Sequence, residues 1–261
     1  MKNIKCFLAC FDVLGFKVLR TNKTTEGLYQ LYQRSLLPVM QHAAAGQGKT
    51  VDNKYVPDFN QNSLNYRIFS DTIILFTFDN SFVSFMNVIN SAHQLLSMGF
   101  TGAKTPFRGA IGYGDLIYDG QGIFVGEALE DAYKWESKQV WSGCLLTDKF
   151  ESFIKSKDYL KKFTEIHEQA LITKPDHEKN IRINYERITN YDVPLYENSK
   201  TDKVRYYSEN KYVLDWTVRV YENASSKSFL PHNNCEHVKL IIKNTADFEN
   251  WARKNNRQKD T

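Results

Sequence analysis

The pattern of hydrophobic and polar positions predicts alternating strands and helices over the first 147 residues. Short apolar runs between polar residues predict strands, and apolar residues at helical spacing predict helices. The predicted strands are 4–11, 64–69, 72–78, 107–118, 123–125 and 144–146. The predicted helices are 25–45, expected to cover the first strand, 82–98, ended by Gly99, 126–141, and a turn at 150–154 capped by Thr147 or Asp148. The order strand, helix, two strands, helix, strand indicates an α+β split βαβ arrangement.

The pattern weakens beyond about residue 150. We expect a helix at 158–171, strands at 181–196 and 204–220, a short helix at 246–254, a polar tail at 255–261 and a surface loop at 46–65. The chain shows no repeat, low-complexity linker or clean boundary. We therefore predict one domain over 1–261, with a core at about 4–147 and a C-terminal part, 148–261, that adds strands and helices to the sheet.

Two of the predicted strands carry an aspartate at a turn. Asp12 follows the apolar run 6–11, and Asp71 lies near the tip of the hairpin formed by 64–69 and 72–78. A carboxylate at the end of a buried strand costs several kcal/mol of desolvation unless a positive group meets it. Neighbouring strands would aim both carboxylates at one place, and hard divalent cations prefer oxygen ligands. We predict that Asp12 and Asp71 hold a pair of metal ions that bind a triphosphate.

Composition narrows the class of protein. Of the 261 residues, 42% are hydrophobic and 25% charged, as in a globular protein, and the net charge of +4 suits a polyanionic small ligand but is too small to indicate nucleic acid. The four cysteines show no CxxC spacing, which indicates a reducing, cytoplasmic setting without a zinc site. No apolar run reaches the length of a membrane span, and the histidines show no ligand spacing.

Four motifs in order suggest a family. Residues 11–16 (FDVLGF), 69–71 (FSD), 108–114 (RGAIGYG) and 126–132 (GEALEDA) resemble the class III nucleotidyl cyclase catalytic domain over roughly 4–147. Each motif alone is weak, and the ordered set is fairly specific. The resemblance implies a ferredoxin-like βαββαβ core and a head-to-tail homodimer with active sites at the subunit interface.

The same resemblance implies two divalent ions, Mn²⁺ or Mg²⁺, held by Asp12 and Asp71. The backbone carbonyl of Val13 is implied as a further ligand, and Phe16 as a substrate-binding residue.

Departures from the family pattern bear on the substrate. Purine cyclases commonly place Lys four residues before the second metal aspartate and Asp or Thr seven residues before a helix Asn; here these places hold Arg67 and Ile123. The Asn and Arg that steady the reacting phosphate are replaced by Glu130 and Lys134. This pattern is similar to the stand-alone pyrimidine cyclases of bacterial Pycsar antiphage systems. Their product, cyclic UMP or cyclic CMP, activates a separate effector that harms the infected cell.

The assigned residues also have structural alternatives. Asp12 and Asp71 could be turn residues. Arg67 could donate to a pyrimidine oxygen or form a surface ion pair, and it is predicted to face the same side as Phe69 and Asp71.

The remaining positions have alternatives of the same kind. Arg108 could contact a phosphate or be an exposed arginine at a strand end. Lys134 could contact a phosphate or pair with Glu130 at i, i+4, which is slightly favoured. Ile123 is expected in the core, where it rules out a hydrogen bond to a base.

Four functions remain open. They are a pyrimidine cyclase, with UTP preferred to CTP, a purine cyclase, a cyclase-like module that binds a nucleotide without turnover, and a fragment of a palm-type polymerase. The charge and the lack of fingers and thumb segments oppose the polymerase.

Overall fold

A single mixed sheet organises the molecule. The computed structural model describes residues 2–38, 48–51, 54–57, 64–103, 105–119, 123–172, 188–198, 204–219 and 236–257. The main sheet has eight strands, seven of them in the order β4-β5-β1-β6-β8-β10-β9, with β7 paired to β6. The bounds of the strands are β1 Lys2–Val13, β2 Gly48–Val51, β3 Lys54–Pro57, β4 Leu64–Phe69, β5 Thr72–Thr77, β6 Phe107–Tyr118, β7 Phe124–Val125, β8 Gly143–Leu146, β9 Ile188–Asn198 and β10 Val204–Leu214.

Seven α-helices flank the strands in the described part of the chain. They are α1 Phe16–Asn22, α2 Thr25–Leu31, α3 Phe82–Met98, α4 Glu127–Lys138, α5 Asp148–Ser156, α6 Tyr159–Ile172 and α7 Glu236–Arg257. A π-helical turn, Tyr32–Leu36, continues α2, and a 3-10 turn, Trp216–Arg219, follows β10. No helix of the described chain is both long and apolar enough to cross a membrane.

The four strands β6, β1, β5 and β4 form the ferredoxin-like core. Strand β1 pairs antiparallel with β5 on one side and with β6 on the other, and β4 pairs antiparallel with β5. The predicted α+β class and the split βαβ order are therefore confirmed. Strand β8 joins β6 in parallel, and β10 and β9 extend the sheet beyond it. The prediction that the C-terminal part adds strands to the sheet is confirmed as well.

Strand β1 is buried on both faces. Its odd-numbered side chains, such as Phe7 and Phe11, enter the large core that also holds the apolar side of α3. Its even-numbered side chains, such as Cys6 and Cys10, pack with Ala128 of α4 in a second cluster. We call this second side the α4 face.

Helix α4 approaches the sheet closely because β6 presents glycine to it. A Cβ at Gly112 would lie 2.9 Å from the carbonyl oxygen of Ala128 and 3.1 Å from the amide nitrogen of Ala132. The glycines of β6 thus admit another backbone close to the strand, and that backbone is the helix. Any side chain at Gly112 would push α4 off the sheet.

Several sequence predictions need correction. Helix α2 buries none of its residues, so it does not cover β1 as predicted; α3 and α4 cover it instead. Helix α1 was not predicted, and β2 and β3 form a hairpin inside the predicted loop 46–65.

Other bounds shift. Helix α4 ends at Lys138 rather than at 141, and α7 begins at Glu236, ten residues before the predicted start at 246. The predicted positions 39–45, 181–187 and 258–261 lie outside the described residues.

Candidate active site

The two predicted metal ligands lie at the same end of the central strands. Asp12 stands opposite Thr72 in the β1–β5 pairing. Asp71 directly precedes Thr72, in the turn between β4 and β5. The amide of Val13 donates to the carbonyl oxygen of Asp71 at 3.0 Å. Gly15 then turns the chain into α1 with φ of 79°, a left-handed conformation that glycine adopts without steric cost. The structure thus brings Asp12 and Asp71 together, as their spacing predicts.

Arg108 lies beside Asp12 on the neighbouring strand. Its Nη2 is 3.3 Å from Asp12 Oδ2, its Nε donates to Glu136 Oε1 at 2.7 Å, and its Nη1 donates to the carbonyl oxygen of Gln139 at 2.9 Å. The side chain of Arg108 is 13% exposed and that of Glu136 is 5% exposed. Arg108 is therefore not the exposed strand-end arginine of the alternative interpretation. We call Asp12, Asp71, Arg108 and Glu136 the carboxylate cluster.

Electrostatics show that negative charge is in excess in this cluster. Burial raises the pKa of Asp12 and Asp71 raises it further, while Arg108 lowers it. Burial raises the pKa of Glu136 to about 7; Arg108 opposes this shift, and Asp12 and Asp71 add to it. Burial, Asp71 and Asp12 together raise the pKa of Tyr32 to about 12. One guanidinium thus pairs with two carboxyl groups, Asp71 adds a third that acts on both of them, and the single positive charge does not neutralise the cluster.

This charge balance fits a divalent cation. An added cation beside Asp12 and Asp71 would favour their ionised forms and relieve the cost of burying them. Within the described residues, no three His, Cys, Asp or Glu side chains are arranged as a ready-made metal cage. Asp12 and Asp71 would therefore hold a cation together with backbone oxygen, water or the phosphates of a ligand, as Mg²⁺ sites commonly do.

A second cluster lies elsewhere on the α4 face, around Arg67. Arg67 pairs in register with Ile74, which pairs with Cys10, so Arg67 and Asp12 belong to the same side of the sheet. Its guanidinium lies 5.9 Å from the ring centroid of Phe76 and 5.1 Å from that of Tyr118, and it donates to the Tyr118 hydroxyl.

The partners of Arg67 are neutral. Phe124 packs on Phe76 with ring centroids 5.0 Å apart, and we call Arg67, Phe76, Tyr118 and Phe124 the aromatic cluster. Arg67 also donates to Asn65 Oδ1 at 3.2 Å and to the carbonyl oxygen of Tyr66 at 2.7 Å. It has no carboxylate partner among the described residues, so the surface ion pair is not formed.

The remaining predicted site residues lie further out. Glu130 and Lys134 are exposed on α4, and within the described chain neither contacts the carboxylate cluster. The i, i+4 ion pair between them is not formed there either. The hydrogen bond from Lys149 to Glu127 raises the pKa of Lys149, and Glu130 adds to this shift; burial raises the pKa of Asp131, and Lys134 opposes that shift. Phe16 begins α1 and packs edge-on against Tyr32, with ring centroids 6.4 Å apart.

Ile123 is not the core strand residue that the sequence predicts. It is 56% exposed and precedes the two-residue strand β7. Its amide donates to Asp119 Oδ1 at 2.9 Å, which ties the residue to a turn and not to a central strand. The side chain can form no hydrogen bond in either setting.

Sequence reasoning missed three residues of the site, Tyr32, Glu136 and Gln139. Glu136 is buried with Ala128 and Ala132 at successive i, i+4 positions of α4. A glutamate in an apolar helical stripe must meet a buried cation, so this spacing was a usable signal. Tyr32 donates its hydroxyl to the carbonyl oxygen of Ser70 at the hairpin tip, a contact between distant segments that no local pattern predicts.

Comparison with known proteins identifies the fold. The sequence matches no protein-family model and no curated protein. The structure is similar to the catalytic core of a rhodopsin-guanylyl cyclase with converted specificity, solved in complex with ATPalphaS, with a TM-score of 0.50 and 12% identity over 82% of this chain and 97% of that chain.

Two further cyclase structures were also found. The guanylyl cyclase domain of RhoGC from the aquatic fungus Blastocladiella emersonii has a TM-score of 0.46 and 16% identity over 59% of this chain and 88% of that one. An adenylate/guanylate cyclase/hydrolase from Silicibacter pomeroyi has a TM-score of 0.41 and 12% identity over 82% and 99%. The likeness to the first structure shows that this chain has the fold of a nucleotide cyclase catalytic domain.

Proposed function

We propose that this protein is a nucleotidyl cyclase that converts UTP to 3′,5′-cyclic UMP and pyrophosphate. The observation that carries the proposal is the juxtaposition of Asp12 and Asp71 on neighbouring strands of a cyclase fold. Their electrostatic coupling and the 3.0 Å hydrogen bond between Val13 and Asp71 support a shared role. The excess negative charge around Arg108 supports a role for that site in binding cations with a polyphosphate.

The reaction is an in-line displacement. The ribose 3′ oxygen attacks the α-phosphorus, the bond from that phosphorus to the bridging oxygen breaks, pyrophosphate leaves and the 3′ proton passes to solvent. Two divalent ions, Mn²⁺ or Mg²⁺, held by Asp12, Asp71 and the carbonyl of Val13, would favour the ionised 3′ oxygen and neutralise the phosphates. The protein would orient the triphosphate and the 3′ oxygen for this attack, and such positioning supplies much of the acceleration.

The base preference rests on Arg67. A guanidinium pinned by Asn65 and Tyr118 can donate to O2 or O4 of a pyrimidine. Ile123 offers no hydrogen bond with which to recognise a purine. CTP is the alternative substrate, with cyclic CMP as its product.

The assembly and setting belong to the same proposal. A homodimer would place Glu130 and Lys134, exposed on α4, against the partner's site, together with Phe16 near the substrate. The cytoplasmic product would act as the signal of a bacterial antiphage system and activate a separate effector.

One assay tests the activity. The purified full-length protein is incubated with UTP, CTP, ATP or GTP and Mn²⁺, and the products are separated by chromatography. We expect cyclic UMP from UTP, and cyclic CMP in its place supports the alternative substrate. Asp12→Asn is the inactive control, and Asp192→Asn on the exposed edge of β9 is its matched control. A wild-type protein that makes no cyclic product from UTP or CTP contradicts the proposal.

A nucleotide-binding module without turnover is the second candidate. The replacement of the usual Asn and Arg of α4 by Glu130 and Lys134 favours it, since Glu130 brings negative charge toward a phosphate. Calorimetry that shows UTP binding by a protein without turnover would support this candidate.

A further inference from the structure

The three bonds of Arg108 differ in length. The contacts to Glu136 and to the carbonyl of Gln139, at 2.7 and 2.9 Å, have the length of strong charge-assisted bonds, whereas the contact to Asp12 measures 3.3 Å. An unrestrained arginine beside an aspartate would form a shorter, two-pronged pair. Glu136 and Gln139 therefore hold the guanidinium back from Asp12.

The part of the molecule that carries Glu136 and Gln139 is firmly braced. The side chain of Gln139 donates to the carbonyl of Gly109 at 2.7 Å and accepts from Trp141 Nε1 at 2.8 Å. Asn244 of α7 donates to the carbonyl of Val140 at 2.7 Å, and Thr245 Oγ1 accepts from the amide of Ser142 at 2.8 Å. Helix α7 thus helps to fix the loop that receives Arg108.

We propose that Glu136 is a positioning residue that controls how much of the Arg108 charge reaches Asp12, and thereby the affinity of the site for a divalent cation. With Glu136 in place, the guanidinium divides its charge between two carboxylates and Asp12 keeps negative charge for a cation. Without it, Arg108 closes on Asp12 and competes with the cation for the same oxygens. The inference rests on the cation-binding role given to Asp12 in the proposed function.

The decisive measurement is cation binding and not turnover. Mn²⁺ alone is titrated into the full-length protein by calorimetry, and free Mn²⁺ is counted independently by electron paramagnetic resonance. Glu136→Gln keeps the shape and removes the charge, and we expect it to raise the Kd for Mn²⁺ about 10-fold, the size found for residues that orient metal ligands. Glu197→Gln, an exposed position on β9, is the matched control and should bind as the wild type does.

A double-variant cycle separates positioning from general structural damage. If Glu136 acts through Arg108, the change Glu136→Gln should have a much smaller effect on Mn²⁺ binding in an Arg108→Gln background, because no guanidinium is left to close on Asp12 and only the direct attraction between Glu136 and the cation is lost. General damage to the fold would weaken binding in both backgrounds. Glu136→Asp, which keeps the charge but shortens the reach, gives an intermediate Kd and serves if Glu136→Gln does not fold.

Three results would overturn the inference. They are a wild-type Kd in folded Glu136→Gln or Glu136→Asp, an equal loss in the Arg108→Gln background, and wild-type binding of Mn²⁺ that Asp12→Asn does not change. None of these measurements involves a nucleotide. A protein that binds Mn²⁺ as expected but makes no cyclic product would contradict the proposed function and leave this inference standing.

Discussion

The carboxylate cluster and the aromatic cluster share one face of the sheet, and each contains an arginine in a different setting. Arg108 meets two carboxylates and a carbonyl, whereas Arg67 meets aromatic rings, an amide, a carbonyl and a hydroxyl. The carboxylates around Arg108 carry more negative charge than its guanidinium can neutralise, so negative charge remains there for a cation. Arg67 has no carboxylate among its described partners and keeps its positive charge for an electronegative group. The neighbours of each arginine thus decide its charge balance, and under the proposed function the two arginines would serve opposite ends of the nucleotide.

The largest expected effect is on turnover. Asp71→Asn removes a carboxylate from the carboxylate cluster and should lower the rate of cyclic UMP formation about 1,000-fold or more, because the cations and phosphates lose an anionic ligand. Rates are measured with UTP and Mn²⁺ at saturation. Turnover within about 10-fold of the wild type would exclude the metal-ligand role, since a lost ligand costs more than that.

Stability should distinguish the two arginines next. Arg108→Met leaves Glu136 and Asp12 buried without a cation and should cost about 3–5 kcal/mol at pH 8.5, above the pKa of Glu136. Arg67→Met loses a cation–π contact and hydrogen bonds to neutral groups and should cost about 1–2 kcal/mol. Urea unfolding in the presence of EDTA measures both. Equal losses would mean that the two clusters do not differ as described.

The carboxylate cluster should also impose a pH dependence. The pKa of Glu136 is about 7 in the folded protein, raised from 4.5. Folded protein therefore keeps a proton that unfolded protein has lost, so this group makes stability fall as pH rises from about 4.5 to 7 and has no effect below that window. The free energy of unfolding of the wild type should fall relative to that of Glu136→Gln by at most about 3 kcal/mol across the window. A constant difference from pH 4 to pH 8 would contradict this assignment.

The smallest effect is expected in the aromatic cluster. Tyr118→Phe removes the hydroxyl that receives the Arg67 guanidinium and should cost about 1 kcal/mol of stability. If Arg67 reads the base, the KM for UTP should rise several-fold with kcat nearly unchanged, because the loosened side chain affects binding more than reaction. Tyr133→Phe, at an exposed position of α4, is the control. An unchanged KM for UTP would contradict the role of Arg67 in recognising the base.

The elements that sequence predicted best are those with strong local signals. The bounds of α3 and β6 match the predictions 82–98 and 107–118. Helix α3 begins after Ser81, whose side chain accepts from the amide of Ser84, and it carries a regular apolar stripe. The β4–β5 hairpin was equally legible, and its tip carries Ser70 in a left-handed conformation.

The elements that sequence missed depend on distant partners. Helix α7 is rich in lysine, asparagine and arginine, and its apolar residues fall into two groups: Leu240, Ile241 and Ile242 in the first half, and Phe248, Trp251 and Ala252 in the second. The middle of this helix is held in place by hydrogen bonds of Asn244 and Thr245 with the loop that follows α4, and these partners are distant in sequence. Ile123 was misplaced because a short apolar triplet has the same pattern at an edge as in a core.

The site, like the fold, could be predicted only where the sequence signal is local. Asp12 and Asp71 could be identified from the sequence because an acidic residue rarely ends an apolar run unless it has a partner. Glu136 was missed although its spacing with Ala128 and Ala132 signals a buried partner, since the sequence does not show which residue that partner is: Arg108 lies on another element, 28 positions away. Whether Glu130, Lys134 and Phe16 act on a substrate stays a prediction.

The position of β8 has a practical consequence for anyone who would shorten this protein. This strand has four buried residues and lies between β6 and β10. A chain cut after residue 147 would turn it into a bare apolar edge whose amides seek another strand. Such a fragment would aggregate through this edge. The region 4–147 that resembles the cyclase family is therefore not expected to be a stable domain by itself.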